Sequence, residues 1–320
     1  MSRCCQQDLF ARLRCARCQG ELQVQTNTVA CADCGEQYGF FRGVPVLIRG
    51  DNELFPPAAY SDDETTEGST GRNWNVTQRI KTWVPSRSVN LERRRTLQKI
   101  SEEDSSGSRS VLVVGSGGQA DQLRAHFAGT RTDFLFCDVD RNADVDVFCD
   151  AHELPFANER FDGVITTAVL EHVMYPEKVA SEIARVTRPD GFVYSEIPFL
   201  QGVHEGAYDF TRFTMSGHRN LLRAFREEQS GVVAGPGTAL VWSLVAFAQA
   251  LFRSQRLSQL AGLLTRSCLF WLKYFDYLTQ DNPTALDSAS CTYFYGRKSD
   301  RLMSPEEIVG RYEGHIVQHV

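Results

Sequence analysis

The sequence predicts a doubly wound α/β fold that follows a small, metal-bound N-terminal module. Three observations predict it. Two Cys-x2-Cys pairs lie near the N-terminus, the apolar run VLVVG leads directly into a glycine loop, and from Val111 to Phe199 short apolar runs alternate with helical segments. A chain of 320 residues is long enough for one large core and a small accessory unit.

The first predicted unit is residues 1–50, built around Cys15, Cys18, Cys31 and Cys34. Twelve residues separate the two pairs, which is enough for a β-hairpin, so four thiolates can converge tetrahedrally on one Zn²⁺. A unit of this size buries too little apolar surface to fold robustly alone, and zinc would contribute about 10–16 kcal/mol. Free or disulfide-bonded thiols are the alternative.

Residues 51–108 are predicted to form a linker and covering helices. The stretch 51–72 is acidic, contains Pro, Ser, Thr and Gly, and has no hydrophobic period. Beyond it, Trp74, Ile80, Trp83 and Leu97 stand among basic residues, which indicates one or two helices that cover the next domain.

Residues 109–200 are predicted to form the main sheet. The strands are VLVVG, FLFCD, VDVFC, FDGVITT and GFVYSEIPF, with helices at 119–127 and 176–186. Apolar runs of this length, separated by helices, are typical of parallel strands buried on both faces. The sheet is therefore doubly wound.

Residues 201–320 are predicted to supply a lid, apolar helices and a final edge strand. The lid is expected at 204–214 and helices at 216–225, 238–252 and 257–278. The run CTYFYGRK at 291–298 predicts an antiparallel strand at the sheet edge. The uncharged helix at 238–252 is too short to span a hydrocarbon core of about 30 Å.

The glycine loop and two aspartates form a candidate cofactor site. Gly115 and Gly117 let the chain turn sharply beside a ligand. Asp138, at the end of the second strand, can accept both ribose hydroxyls, and Asp150 follows the third strand. The spacing Gly115-x-Gly117-x-x-Ala120 also fits a nicotinamide fingerprint, so the loop alone leaves two cofactor classes open.

The stretch from Asp150 to Phe199 closely resembles class I S-adenosylmethionine-dependent methyltransferases of the type 11 kind, whose sheet is Rossmann-like. The matching segments are Asp150 to Phe156, Phe161-Asp162, Leu170 to Val173 and Arg185 to Gly191. The resemblance implies that Gly115 and Gly117 line the methionine moiety and that Asp138 holds the ribose. It also implies that Asp150 and Ala151 hold the adenine and that Thr167 flanks the sulfonium. Val113 and Gln119 depart from the family, which usually has an acid and a glycine there.

The segment from about residue 10 to residue 50 resembles the zinc ribbon of the tRNA-methyltransferase activator subunit family. The shared pattern is Cys-x2-Cys-x-Gly-x-Leu, a second Cys-x2-Cys, a tyrosine and Gly-Val-Pro-Val-Leu. In that family the ribbon is an accessory, which implies a structural role or a protein partner for this module.

Candidate catalytic residues lie just past the fifth strand. His204 or Asp209 could take a proton from an acceptor, and Arg212 could pair with an anionic group. Alternatively, Asp209 pairs with Arg212 within a lid loop. The run His…Tyr-Asp-x-x-Arg-x-Thr resembles a segment of bacterial methyltransferases that lie near glycan gene products.

The expected function is methyl transfer from S-adenosylmethionine to a small-molecule or glycan acceptor, which could be lipid-linked. An RNA base methyltransferase with a zinc-ribbon recognition module and a non-catalytic adaptor are the alternatives. The net charge of −6 argues against a nucleic-acid partner. The apolar helices fit core packing or peripheral membrane contact. Unpaired thiols and the lack of a secretory signal predict a cytoplasmic protein, membrane-associated if those helices bind lipid.

Overall fold

The computed structural model describes residues 9–26, 28–61, 86–102 and 108–315. The cysteine-rich module contains four short strands, β1 (Leu22–Val24), β2 (Val29–Cys31), β3 (Gln37–Phe41) and β4 (Val44–Val46), paired antiparallel in chain order. Trp74, Ile80 and Trp83 lie outside the described residues. The described part of the predicted covering helices is α1 (Arg93–Glu102).

The main sheet contains five parallel strands: β5 (Arg109–Val114), β6 (Thr132–Asp138), β7 (Val147–Phe148), β8 (Phe161–Thr167) and β9 (Thr187–Pro198). They lie side by side in the order β7-β6-β5-β8-β9. Each buries an apolar run, as the sequence predicted.

Helices cover the sheet on both faces. On one face α1 and α2 (Ala120–His126) pack on Val111 and Val113, while on the other α3 (Pro176–Val186) packs on Leu112 and Val114. Successive residues of β5 therefore contribute to opposite hydrophobic clusters, which confirms the doubly wound α/β fold.

The C-terminal third completes the sheet and adds helices. Its elements are α4 (Met215–Leu221), β10 (Phe225–Ala234), α5 (Pro236–Ala250), α6 (Gln255–Leu269), a 3-10 helix (Phe270–Phe275), α7 (Asp276–Thr279), α8 (Pro283–Asp287), β11 (Cys291–Lys298) and α9 (Pro305–Gly310). Within the described ranges, no helix is both long and apolar enough to cross a bilayer.

Three predicted elements of this region were wrong in part. The helix expected at 216–225 ends at Leu221, and the charged run that follows it belongs to β10, whose bulges interrupt the alternation of side chains. Consequently β11 lies between β9 and β10 instead of at the edge. The helix expected at 257–278 is interrupted by the 3-10 helix.

The interruption places Asp276 under the start of α5. Its carboxylate accepts hydrogen bonds from the backbone N–H groups of Gly235, Gly237 and Thr238 and from the Thr238 hydroxyl. The backbone N–H groups at the start of a helix have no partner within that helix, so Asp276, which is distant in sequence, caps α5.

The cysteine-rich module extends the main sheet. Strand β4 pairs in parallel with β7 through Val46 and Phe148, and Leu13 forms an isolated bridge with Phe156. Backbone pairing is therefore continuous from β1 to β10. The domain boundary expected at residue 50 stays a prediction, since sheet pairing crosses it.

Candidate functional site

The candidate site lies where the strand order of the main sheet reverses. From β5 the chain proceeds outward through β6 to β7, then returns to β8 on the other side of β5 and continues to β9. The carboxyl ends of β5 and β8 therefore flank a crevice, and such switch points are where α/β sheets bind ligands.

Gly115 leaves β5 in a conformation that only glycine adopts readily. Its φ is 72°, and a Cβ atom built there would lie 2.2 Å from Cγ2 of Val169. Gly117 and Gly118 also have positive φ values, of 47° and 85°. The loop thus stays narrow and approaches the turn after β8 closely, as the glycine pattern predicted.

Asp138 ties the glycine loop to the end of β6. Its Oδ2 accepts from the Gly117 N–H at 3.0 Å, and its Oδ1 accepts from the N–H groups of Val139 and Asp140 at 2.7 and 3.0 Å. Burial raises the pKa of this carboxyl group above its usual range. Oδ2 retains a lone pair, so a hydroxyl ligand can still donate to it.

Asp150 lies at the next strand end and caps the 3-10 turn Ala151–Glu153. Oδ1 accepts from the His152 N–H at 2.9 Å and faces His152 Nδ1 at 2.6 Å, while Oδ2 accepts from Asn52 Nδ2 at 2.8 Å. Burial alone would raise the pKa of Asp150, but the bonds with His152 lower it. Ala151 is half-buried beside it.

The segment that leaves the cysteine-rich module covers this end of the crevice. Besides the Asn52 contact, the Phe55 ring stacks on Tyr208 at 6.1 Å between centroids, and the Tyr60 hydroxyl donates to the Val139 carbonyl at 2.6 Å. Sequence reasoning missed these contacts, because residues 51–60 have no motif.

At the opposite end, Gln119 bridges the crevice. Its Oε1 accepts from the Thr167 hydroxyl and from Arg93 Nη1, each at 3.1 Å. Arg93 also makes two parallel bonds with Glu196, of 2.8 and 2.6 Å. Sequence reasoning missed Arg93; the only signal for Glu196 was a single acid within the apolar run GFVYSEIPF.

The lid brings His204, Asp209 and Arg212 together. Arg212 binds both carboxylate oxygens of Asp209, and Asp209 Oδ2 also accepts from the His204 N–H at 3.0 Å. Burial raises the pKa of Asp209, but the Arg212 guanidinium outweighs it and lowers that pKa to about 2. This geometry favours the alternative in which Asp209 pairs with Arg212; the catalytic roles of the three residues stay predictions.

Two histidines and a buried acid meet beside the lid. His172 Nε2 lies 3.0 Å from His204 Nε2, and Glu171 is 0% exposed. Among the described residues, neither Glu171 carboxylate oxygen has a hydrogen-bond partner. Burial raises the pKa of Glu171 to about 8. No sequence motif unites these three residues, so their meeting was not predicted.

The four cysteines converge as predicted. Cys15 Sγ lies 3.6 Å from Cys34 Sγ and Cys18 Sγ lies 3.5 Å from Cys31 Sγ. These distances exclude S–S bonds and approach the value of about 3.8 Å for thiolates around tetrahedral zinc. The Tyr38 hydroxyl lies 3.1 Å from Cys15 Sγ, within reach to donate to a thiolate. The donor set and its spacing fit Zn²⁺.

Comparison with protein families gives one match: residues 113–195 match the model described as "Methyltransferase domain". The matched range starts in β5, ends in β9 and so contains the glycine loop, Asp138, Asp150 and Thr167. No curated protein matches the sequence.

Comparison with solved structures gives distant likenesses. One is the [4+2]-cyclase SpnF, with 15% identity over 66% of this chain and 86% of that chain and a TM-score of 0.40. Another is the Burkholderia thailandensis 1,6-didemethyltoxoflavin-N1-methyltransferase, with 16% identity over 65% of this chain and 78% of that chain and a TM-score of 0.40. A SAM-dependent methyltransferase from Aquifex aeolicus is also similar, with 12% identity over 63% of this chain and 89% of that chain and a TM-score of 0.38. These values are too low to carry an argument about activity.

Proposed function

We propose that this chain, which carries a class I S-adenosylmethionine-dependent methyltransferase domain, methylates a small-molecule or glycan acceptor that is lipid-linked. The observation that carries the proposal is the cluster of Gly115, Asp138 and Thr167 at the switch point of the sheet, within the matched range 113–195. Bound S-adenosylmethionine supplies a methyl group on a sulfonium, which needs no further activation.

The residues present fit this cofactor. Gly115 lets the loop pack against Val169, and beyond it the loop is open, because a Cβ atom built at Gly118 would meet no atom within 4 Å. Asp138 has lone pairs for the ribose hydroxyls, and Asp150, beside Ala151, can accept from the adenine amino group. By the resemblance to the family, Thr167 would flank the sulfonium, and its hydroxyl donates to Gln119 Oε1 at the end of β8.

Gln119 marks the methionine end of the proposed pocket. Its Oε1 occupies a point where Thr167 and Arg93 both donate. A carboxylate oxygen would satisfy the same donors more strongly than a neutral amide. We expect the methionine carboxylate to replace the Gln119 amide there when the cofactor binds.

The lid and the groove beside it fit an acceptor with an apolar portion. A groove of about 540 Å³ is lined by Phe199, Leu200, Gln201, Gly202, Pro236, Ala239, Leu240, Ser243 and Ser288. Trp242 of α5 lies against His204, with 6.3 Å between ring centroids. An acceptor chain in this groove would place its polar end near the lid, where catalysis consists largely of alignment.

The exposed surface of α5, α6 and the 3-10 helix supports a lipid-linked acceptor. We call the following residues the apolar helix surface: Leu240, Phe247, Leu251, Phe252, Leu257, Leu260, Leu263, Leu264, Trp271, Tyr274 and Phe275, all more than 40% exposed. From Gln229 to Phe275 the sequence has no acid, and Arg253, Arg256 and Arg266 are at least partly exposed, whereas Lys273 is buried. Such a surface suits anionic lipid headgroups.

Vesicle binding tests this contact. We expect the chain to co-sediment with phosphatidylcholine vesicles that contain phosphatidylglycerol, and less so at high salt. The double variant Phe247→Ser/Leu251→Ser should lose binding, whereas Leu302→Ser, an exposed leucine outside the surface, should retain it. Equal binding by the two variants would contradict a membrane role for this surface.

We also propose that Cys15, Cys18, Cys31 and Cys34 bind one structural Zn²⁺ and that the chain works in a reducing compartment such as the cytoplasm. Their convergence and the unpaired, buried Cys137 and Cys149 support both statements. The metal would stabilise the module whose exit segment lies over the crevice, and the module's exposed side would be available to a protein partner.

A transfer assay tests the proposed activity. The chain is incubated with methyl-labelled S-adenosylmethionine and metabolite and glycolipid fractions, with Asp138→Ala as the control. Label should enter one acceptor class with the wild type only. If the wild type binds the cofactor and labels none of the fractions, the domain is a binding module without transferase activity on them.

A further inference from the structure

We infer that Glu171, His172 and His204 bind a divalent transition-metal ion beside the cofactor crevice. One ligand atom from each residue lies within 4.8 Å of the others. This grouping is separate from the four cysteines and belongs to the turn after β8 and the lid.

The tautomer of His172 is set by the backbone. Its Nδ1 lies 2.8 Å from the Tyr208 carbonyl oxygen, which only accepts. Nδ1 therefore carries the proton, and Nε2 of the neutral ring has a free lone pair directed at His204.

His204 has the matching arrangement. Its Nδ1 lies 3.4 Å from both the Gly202 carbonyl oxygen and Asp209 Oδ2, and neither atom donates. The two Nε2 lone pairs then face each other at 3.0 Å, which is unfavourable without a cation between them. Two ligands at right angles, each about 2.1 Å from a metal, lie about 3.0 Å apart.

Glu171 offers the third ligand atom, a buried carboxyl oxygen. Its Oε1 lies 3.6 Å from His172 Nε2 and 3.8 Å from His204 Nε2. The residue is 0% exposed, and neither oxygen has a hydrogen-bond partner among the described residues. A buried carboxylate without partners is costly, and a cation at this point would compensate it.

The neighbouring charged side chains form ion pairs with residues other than Glu171. Arg212 binds Asp209, and Arg93 binds Glu196. Asp209, held by Arg212, can in turn orient His204 through Nδ1, which is the usual outer support of a metal-bound histidine. Two imidazoles and one carboxylate suit manganese, iron, cobalt, nickel or zinc and leave coordination positions open.

The proposed role of the ion rests on the proposed function. Glu171 follows Thr167 by four residues on the turn that leaves β8, and His204 opens the lid. Open coordination positions between them would bind acceptor oxygens, which favours an acceptor with two adjacent oxygen atoms. Metal binding itself does not depend on that role.

Manganese titration tests the site on the full-length, zinc-loaded chain. Mn²⁺ is suited because thiolates bind it weakly, so the four cysteines would not compete. Electron paramagnetic resonance should show one bound Mn²⁺ per chain, in addition to zinc from elemental analysis. Absence of stoichiometric Mn²⁺ binding by the wild type would overturn the inference.

Variants assign the ligands. Glu171→Gln and His204→Ala should each weaken Mn²⁺ binding more than about 10-fold, while His315→Ala, an exposed histidine far along the chain, should bind like the wild type. Unchanged Mn²⁺ affinity in Glu171→Gln would also overturn it. Calorimetry with S-adenosylmethionine on the same samples reports folding and tests the proposed function separately.

Discussion

Gly115 shows how one residue controls the width of the crevice. Alanine there would require a left-handed backbone and would overlap the Val169 side chain. We expect Gly115→Ala to cost about 3 kcal/mol of cofactor binding, or roughly 100-fold, because the loop must move away from β8. Calorimetry measures this; Gly129→Ala, also at positive φ but with open space around it, is the control.

Gln119 should act in the opposite direction. If its amide must leave Thr167 and Arg93 before the methionine carboxylate enters, Gln119→Ala removes a competitor. We expect binding of S-adenosylmethionine to become about fivefold tighter, equivalent to one net hydrogen bond of about 1 kcal/mol. Weaker binding in this variant would mean that Gln119 contacts the cofactor.

The predictability of site residues depended on how far apart they lie in the chain. The cysteine pairs and the glycine loop are local patterns, and Asp138 follows from its strand end. The pair Arg93 and Glu196 joins residues 103 positions apart, and His172 meets His204 across 32. Such meetings come from tertiary packing, which a single sequence does not display.

At the scale of elements, His218 of α4 joins two strands of the sheet. Its Nε2 lies 2.9 Å from the Ser195 hydroxyl of β9, and its Nδ1 lies 3.4 Å from that of Thr292 in β11. Burial, with a smaller effect of Arg219, lowers the pKa of His218 from 6.5 to about 3. The folded state therefore holds this ring neutral.

The neutral His218 ring makes the stability of the folded state depend on pH. Above pH 6.5 the ring is mostly neutral in both states, whereas below it only the unfolded chain takes up the proton, so the free energy of unfolding decreases as the pH decreases. We expect His218 to lower the free energy of unfolding by about 2 kcal/mol between pH 7 and pH 5.

Denaturant unfolding at both pH values measures this change. His218→Gln should lose that part of the pH dependence, whereas His315→Gln, at an exposed site, should keep it. An unaltered pH dependence in His218→Gln would contradict the assignment.

Elements with uniform patterns were predicted well, and elements with mixed ones were not. The apolar runs of β5, β6 and β8 and the periodicity of α3 determine their type. Strand β10 begins at Phe225, where a helix was predicted to end, and its next residues, Arg226, Glu227 and Glu228, were assigned to no element. Pairing with β11 is what makes this stretch a strand. Because β10 was not predicted, β11 was wrongly expected at the edge of the sheet.

At the scale of the whole molecule, the segment that follows the cysteine-rich module contacts the residues around the cofactor crevice. Asn52, Phe55 and Tyr60 follow the module and contact Asp150, Tyr208 and the Val139 carbonyl. Cys15→Ser should release zinc, loosen this segment and weaken cofactor binding about tenfold.

Elemental analysis and calorimetry on one sample measure both effects. Cys268→Ser, which changes an exposed thiol outside the module, should alter neither zinc content nor cofactor affinity. Full cofactor affinity in a zinc-free Cys15→Ser variant would show that the module does not support the crevice.

We propose that the switch-point crevice binds S-adenosylmethionine through Gly115, Asp138 and Thr167. Isothermal titration calorimetry of the wild type and of Asp138→Ala with S-adenosylmethionine measures this binding. We predict one site per chain in the wild type and its loss in Asp138→Ala, because the ribose hydroxyls and the glycine loop lose their shared acceptor. No binding by the wild type, or equal affinity in the variant, would contradict the claim.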